Sequence, residues 1–312
     1  MSELLVEADG LVKAYGDFLA VDGLNLRLSE GEVYGFLGPN GSGKSTTILM
    51  MLGLTEPTAG GVKVVGHDPM REPLEVKRQV GYLPESVGFY GDMTGRENLM
   101  YTADLNNIRL SDAKARIDEL LGMVDLVEAT NQPVGQYSRG MRQRLGLADV
   151  LLKRPRVIIL DDPTLGLDPT GIQWLLGMIE DLSTNQGISV FLSSHQLHEV
   201  QQVCHRVGIM SHGKIVLEGT VAELTEQTGS GGFGLVLEVL GGGDELMTAL
   251  QGLPTVTTCT RVGNEIVVQS GGDVRGQATA AVVASGALLL GASSENRTLE
   301  DIYLRYFAGQ ES

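Results

Sequence analysis

At 312 residues, 42% of them hydrophobic and 20% charged, the chain has the apolar mass for a packed core and room for one large and one small domain. Its 23 basic against 39 acidic residues leave a formal charge of −16, which argues against the basic face of a nucleic-acid binder, so no nucleic-acid partner is expected. Two cysteines, Cys204 and Cys259, stand far apart in no spaced motif; that excludes a disulfide framework and fits a reducing cytoplasm.

The first residues, Met1 to Glu7, lack the basic start and apolar run of a signal peptide. The longest apolar run, Ala281 to Ala292, is too short and too rich in small residues to span a bilayer. Work at a membrane would therefore need another chain as the anchor.

Leu4 to Val6 and Leu11 to Lys13 read as short strands, followed by a turn at Tyr15-Gly16-Asp17 and a strand over Ala20 to Leu26. Tyr15, an aromatic shortly before a glycine-rich loop, is a candidate platform for a base and equally a packing residue. Glu32 to Leu37 reads as a buried strand. It runs into Gly38-Pro39-Asn40-Gly41-Ser42-Gly43-Lys44-Ser45-Thr46, which has the G-x-x-x-x-G-K-[ST] spacing of a phosphate-binding loop. Glycines let successive backbone N–H groups point into one concavity for phosphate oxygens. Lys44 is placed to reach the β- and γ-phosphates and Ser45 to ligate Mg²⁺. A helix over Thr47 to Leu54 would direct its positive end at the anion.

Strands follow at Val62 to Val65 and Val80 to Glu85. Thr94 and Glu97 fit a capping box that opens a helix through about Asn106. Ala113, Ile117, Leu120, Leu121 and Val124 recur with helical rhythm. Ser138 is a natural N-cap for the next helix, leaving Gly140, Met141 and their neighbours with free N–H groups, either a second anion site or an ordinary capped helix. Val157 to Leu160 is an apolar run ending in Asp161 and Asp162, the pattern of a buried parallel strand with acids at its carboxyl end. Asp161 suits Mg²⁺ and Asp162 the polarisation of an attacking water. A further buried strand, Ile188 to Ser194, ends at His195, a candidate γ-phosphate contact. His195, His198, Cys204 and His205 lack the spacing of a zinc site.

After a glycine linker at Gly229 to Gly232, the order of expected elements becomes β-α-β-β-α-β, a ferredoxin-like pattern, with a capped helix at Thr298 to Phe307. Nothing in this tail carries catalytic chemistry; it reads as a packing or dimer-stabilising domain. The expected division is 1–228 and 233–312.

In their order, these motifs resemble the ATP-binding subunit of an ABC transporter over roughly residues 3–222. The resemblance implies an α/β P-loop NTPase fold with a helical signature subdomain. It places Tyr15 at the adenine-stacking position and Glu85 at the coupling position that senses Mg²⁺ and touches the membrane subunit. Ser138, Arg139, Gly140 and Met141 fall on the signature, which acts across a dimer. Asp161 falls on the Mg²⁺ carboxylate, Asp162 on the general base, Asp168 on the dimer loop and His195 on the γ-phosphate switch. Three positions depart from the family: Arg139 stands for a glycine, Glu85 for a glutamine and Asp162 for a glutamate.

Stretches such as Gly81 to Tyr90, Thr94 to Leu99, Tyr137 to Ala148 and Thr298 to Tyr303 look like the ATPase of the transporter that matures the copper site of nitrous oxide reductase. Drug, lipid and sodium exporters share much of this pattern and stand as the alternative. The resemblance implies ATP and Mg²⁺ as ligands and a second copy and an integral-membrane permease as partners. It also implies an extracytoplasmic maturation protein under the copper reading, and a place on the cytoplasmic face of the membrane. Other open readings are a soluble mechanical ABC ATPase and a module that holds ATP without turnover.

Overall fold

The computed structural model describes residues 3–220, 222–224 and 233–295. The linker at 229–232 and the terminal helix expected at 298–307 lie outside the described residues. The chain divides into two compact units, Met1–Thr220 and Val221–Ser312.

The first unit opens on two long antiparallel strands, β1 (Leu4–Tyr15) and β2 (Phe18–Ser29). Where the pattern suggests two short strands, β1 is continuous: register shifts on either side of Leu11 absorb the irregularity, and the strand carries on past Gly10 at φ 54°. With β4 (Ala59–Val64) these form a three-stranded sheet in the order β2-β1-β4. A six-stranded sheet has the order β5-β6-β7-β3-β8-β9. It comprises β3 (Val33–Leu37), β5 (Val80–Leu83), β6 (Val157–Asp161), β7 (Ser189–Ser194), β8 (Arg206–Ser211) and β9 (Lys214–Gly219). All its neighbours run parallel except the β8–β9 hairpin. Every residue of β3, β6 and β7 is buried, which is why these strands read as unbroken apolar runs rather than alternations.

Seven helices of the first unit are described. Helix α1 (Lys44–Met51) begins three residues before the expected start, because Gly43, at φ 110°, makes the turn that lets Lys44 be the first helical residue. Helices α2 (Pro73–Gln79) and α7 (Leu197–Val203) carry no legible apolar rhythm; α2 buries only Val76. In α3 (Gly95–Leu105) both capping-box bonds form: Glu97 N donates to Thr94 Oγ1 at 3.2 Å and Thr94 N to Glu97 Oε2 at 2.8 Å. Helix α4 (Leu110–Met123) buries its expected stripe, and α5 (Arg139–Leu151) and α6 (Pro169–Thr184) are capped by Ser138 and Asp168. One apolar core joins β1 and β2 to β3, β6, β7 and α1 through Val6, Leu28, Phe36, Ile159, Phe191 and Met50.

The second unit contains β10 (Phe233–Leu240), α8 (Gly243–Gln251), β11 (Val256–Val262), β12 (Glu265–Ser270), α9 (Arg275–Ala284) and β13 (Leu288–Glu295). Its sheet is antiparallel throughout, in the order β11-β12-β10-β13. Leu235, Leu237, Leu246, Ile266, Val268 and Val282 form its own core. Each unit holds one thiol: burial pushes that of Cys204 far up, while Cys259 lies in the second core.

Candidate functional site

A parallel sheet gathers chemistry at the carboxyl ends of its strands. Here β3 ends in the phosphate loop, its neighbour β7 in Ser194-His195, and the next strand, β6, in Asp161-Asp162. The three strands thus deliver a cation, two carboxylates and an imidazole to one edge.

Gly43 is irreplaceable on two counts. Its φ of 110° strains any L side chain, and a methyl carbon there would lie 2.3 Å from the Ala20 carbonyl oxygen. Lys44, 6% exposed, donates to the carbonyl oxygens of Gly38 at 2.8 Å and Pro39 at 3.3 Å, so it braces the loop that precedes it. Burial lowers its pKa, against the pull of Asp162 and Asp161. Asp161 is 8% exposed, and burial raises its carboxyl above the ordinary value, helped by the charges of Asp162 and Glu85 and opposed by Lys44.

Asp162 leaves the strand at φ 46°, a left-handed conformation that aspartate tolerates better than most residues. Its Oδ1 accepts from His195 N at 3.2 Å and lies 2.7 Å from His195 Nδ1, so base and switch candidates meet directly. A cleft of about 280 Å³ opens above the loop, lined by Phe18, Ala20, Asn40, Gly41, Gly43, Lys44, Ser45, Thr46, Glu85 and Asp162. Ser42 Oγ is buried without a partner beneath it. A concave, cationic loop of this size and polarity fits a nucleotide's phosphates.

Tyr15 does not line this cleft; Phe18, its cross-strand partner in the β1–β2 hairpin and 62% exposed, does. Sequence reasoning missed Phe18. Its signal was an aromatic on the far side of the Gly16-Asp17 turn, brought level with Tyr15 only by the two-residue hairpin. The signature residues lie elsewhere. Ser138 Oγ accepts from Met141 N at 3.2 Å, capping α5, and Ser138 and Arg139 are exposed. Arg139 lines a second cleft of about 310 Å³ with Glu85, Ser86, Val87, Arg142 and Gln143. Glu85 therefore borders both clefts. Asp168 Oδ1 accepts from Gly171 N at 2.9 Å, a helix cap within this subunit.

A larger cavity of about 350 Å³ is lined by Arg78, Arg116, Lys153 and Arg154. Three of these four cations are engaged: Arg78 with Glu75, Arg116 with Glu119 and the Leu151 carbonyl, Lys153 with the Lys77 carbonyl. Among the described residues no group of three or more His, Cys, Asp or Glu forms a metal cluster, and no helix is long and apolar enough to cross a membrane.

Residues 21–165 match the family model for the ABC transporter. The chain is 42% identical over 214 residues to the bacitracin transport ATP-binding protein BcrA of Bacillus licheniformis, covering 69% of each. It is 39% identical over 241 residues to the daunorubicin resistance ATP-binding protein DrrA3 of Streptomyces coeruleorubidus, covering 77% of this chain and 76% of the relative. The dimeric, post-hydrolysis structure of the ATP-binding cassette MJ0796 with ADP and Pi superposes with a TM-score of 0.62 at 25% identity, over 69% of this chain and 98% of that one. With the phosphate loop, the strand-end carboxylates and these relatives in agreement, the chain belongs to the ATP-binding subunits of ABC transporters and is an ATP hydrolase of that family.

Proposed function

We propose that this ATPase is the motor of an exporter, held at the cytoplasmic face of a membrane by an integral-membrane permease and working as a pair of identical subunits. The observation that carries the reading is the separation of two half-sites. Lys44, Ser45 and Asp162 line one cleft, with His195 hydrogen-bonded to Asp162 and the Asp161 charge acting on Lys44, while the exposed Ser138 and half-buried Gly140 do not line it. A second copy brings its signature helix end to the γ-phosphate that the first copy leaves open. The dimeric MJ0796 cassette supports this pairing.

The names of the relatives, one for bacitracin transport and one for daunorubicin resistance, favour the exporter reading over maturation of a copper site. The order β13-β10-β12-β11, with a helix before each outer strand, supports a ferredoxin-like reading of the second unit as an accessory domain.

In this reading the loop amides and Lys44 hold the phosphates. Mg²⁺ would be held by Ser45 and Asp161, with Glu85 at the rim, and supplies charge neutralisation on the phosphate oxygens. Asp162 orients the attacking water and takes up its proton, a role that contributes about 10²–10⁴-fold in rate. His195, hydrogen-bonded to Asp162, fixes that carboxylate's direction. Aspartate is one methylene shorter than the family's glutamate, and Asp162 presents it from a left-handed backbone.

Affinity capture from detergent-solubilised native membranes, with partners identified by mass spectrometry, tests the assignment. A multi-span permease should co-purify. Capture of an extracytoplasmic maturation protein beside it would restore the copper reading, and absence of any membrane protein would overturn the motor reading.

A further inference from the structure

Arg139 stands where the resemblance leads one to expect glycine, and it stands in an adverse place. It is the first residue of α5, so its charge opposes the positive end of the helix dipole. Among the described residues no carboxylate lies within ion-pair distance of it. Its guanidinium rests on Gly166 instead. A methyl carbon built on Gly166 would lie 2.6 Å from Arg139 Cζ, 2.6 Å from Nη1 and 2.8 Å from Nε. Three near-equal distances to one planar group put that point over its flat face. Gly166 sits at φ +72°, so both the backbone and the arginine demand glycine there.

The loop beneath the guanidinium is tied to Asp162 at one end and to helix α6 at the other. Leu165 N donates to the Asp162 carbonyl at 3.2 Å and Leu167 N to the Thr164 carbonyl at 3.0 Å. Asp168 then caps α6. A second contact runs beside the first: Leu167 Cδ2 is 3.8 Å from the position of a methyl on Gly140. The start of the signature helix and the loop after Asp162 are thus packed together within one subunit.

We propose that Arg139 is a positioning residue whose planar guanidinium, laid across Gly166, locks the Leu165–Asp168 loop to the signature helix of the same subunit and so holds Asp162 in register. The departure at Arg139 and the glycine at 166 are two halves of one device. Charge alone does not perform it, because a lysine ammonium has no plane to lay on a peptide. The consequence for turnover rests on Asp162 acting as the base; the packing itself does not.

The test uses the full chain with Arg139→Ala, Arg139→Lys, Gly166→Ala and the Arg139→Ala/Gly166→Ala double variant. Hydrogen exchange in the nucleotide-free protein reads the lock directly. The Leu165 and Leu167 amides should exchange roughly fivefold faster or more in both Arg139 variants, with α5 unchanged, as local opening predicts. In ATP hydrolysis kcat should fall about tenfold with KM within about twofold, the signature of a misplaced group rather than lost binding. The melting temperature of Arg139→Ala should stay level or rise, since the adverse charge is gone. Gly166→Ala should be less damaging in the Arg139→Ala background than alone. Unchanged exchange at 165–167, a lysine variant equal to the parent, or a melting temperature that falls together with faster exchange along α5 would each overturn the proposal. Faster loop exchange with unaltered kcat would overturn the claim that the lock holds Asp162 in register if Asp162→Asn abolishes turnover, and would overturn the base reading instead if Asp162→Asn hydrolyses normally.

Discussion

The two units solve the problem of burying a sheet in opposite ways. In the first, three parallel strands are buried end to end and finish in Lys44, Asp161, Asp162 and His195, and polar side chains such as Gln143, Thr164 and Glu199 are buried among the helices. In the second, an antiparallel sheet packs an almost wholly apolar core, and among its described residues Ser270 alone is a buried polar side chain. Buried polar and charged groups oppose folding unless they are paired. The first unit therefore carries groups that stability alone would not select, whereas the second has nothing in its core but packing.

Four variants break or sharpen that contrast. The largest effect belongs to Asp162→Asn: turnover should drop on the order of 10²–10⁴-fold while ATP binding, followed by equilibrium titration, stays intact. Normal hydrolysis by this variant would take the base role away from Asp162. Leu237→Ala should then cost about 2–5 kcal/mol in the second unit's unfolding by denaturant titration. Turnover should stay within about twofold, and a parallel loss of hydrolysis would show that the second core supports the first unit's site.

Gly43→Ala should cost about 1–3 kcal/mol from the backbone alone, and weaken nucleotide binding further through the clash with the Ala20 carbonyl. Calorimetric titration with ATP would show it, and undiminished affinity would mean that the loop is more pliant than its φ of 110° implies.

The smallest effect has the opposite sign. Burial raises the Asp161 pKa, so folding favours its protonated form and the ionised carboxylate opposes folding at neutral pH. Asp161→Asn should raise the melting temperature of the nucleotide-free protein at pH 7 by roughly 1–3 °C while abolishing turnover. That advantage should shrink as pH falls through the raised pKa toward the unfolded value, where both forms of the parent are protonated. A melting temperature lowered at neutral pH would show that the Ser193 hydrogen bond and the attraction of Lys44 together outweigh burial.

Much of the first unit is legible in the chain because its physics is local. A phosphate loop is a run of nine residues whose glycines, lysine and serine do their work within the run. Strand β6 announces itself by being apolar until it meets Asp161, and Thr94 with Glu97 spells out a cap four residues long. What is not legible depends on distance in sequence. Helix α2 buries a single side chain and so leaves no period to read. Phe18 enters the cleft through the geometry of a hairpin, which composition does not encode. Arg139 and Gly166 meet because a left-handed turn brings residues 27 positions apart (166 − 139) face to face, and neither position alone reports the other.

The thiol of Cys204 has a consequence of a different kind. Oxidants and electrophiles attack thiolates, and burial keeps this thiol protonated, while Cys259 is enclosed in the second core. This ATPase is therefore redox-silent at cysteine, and its oxidisable sulfur shifts to exposed thioethers such as that of Met70, 41% exposed.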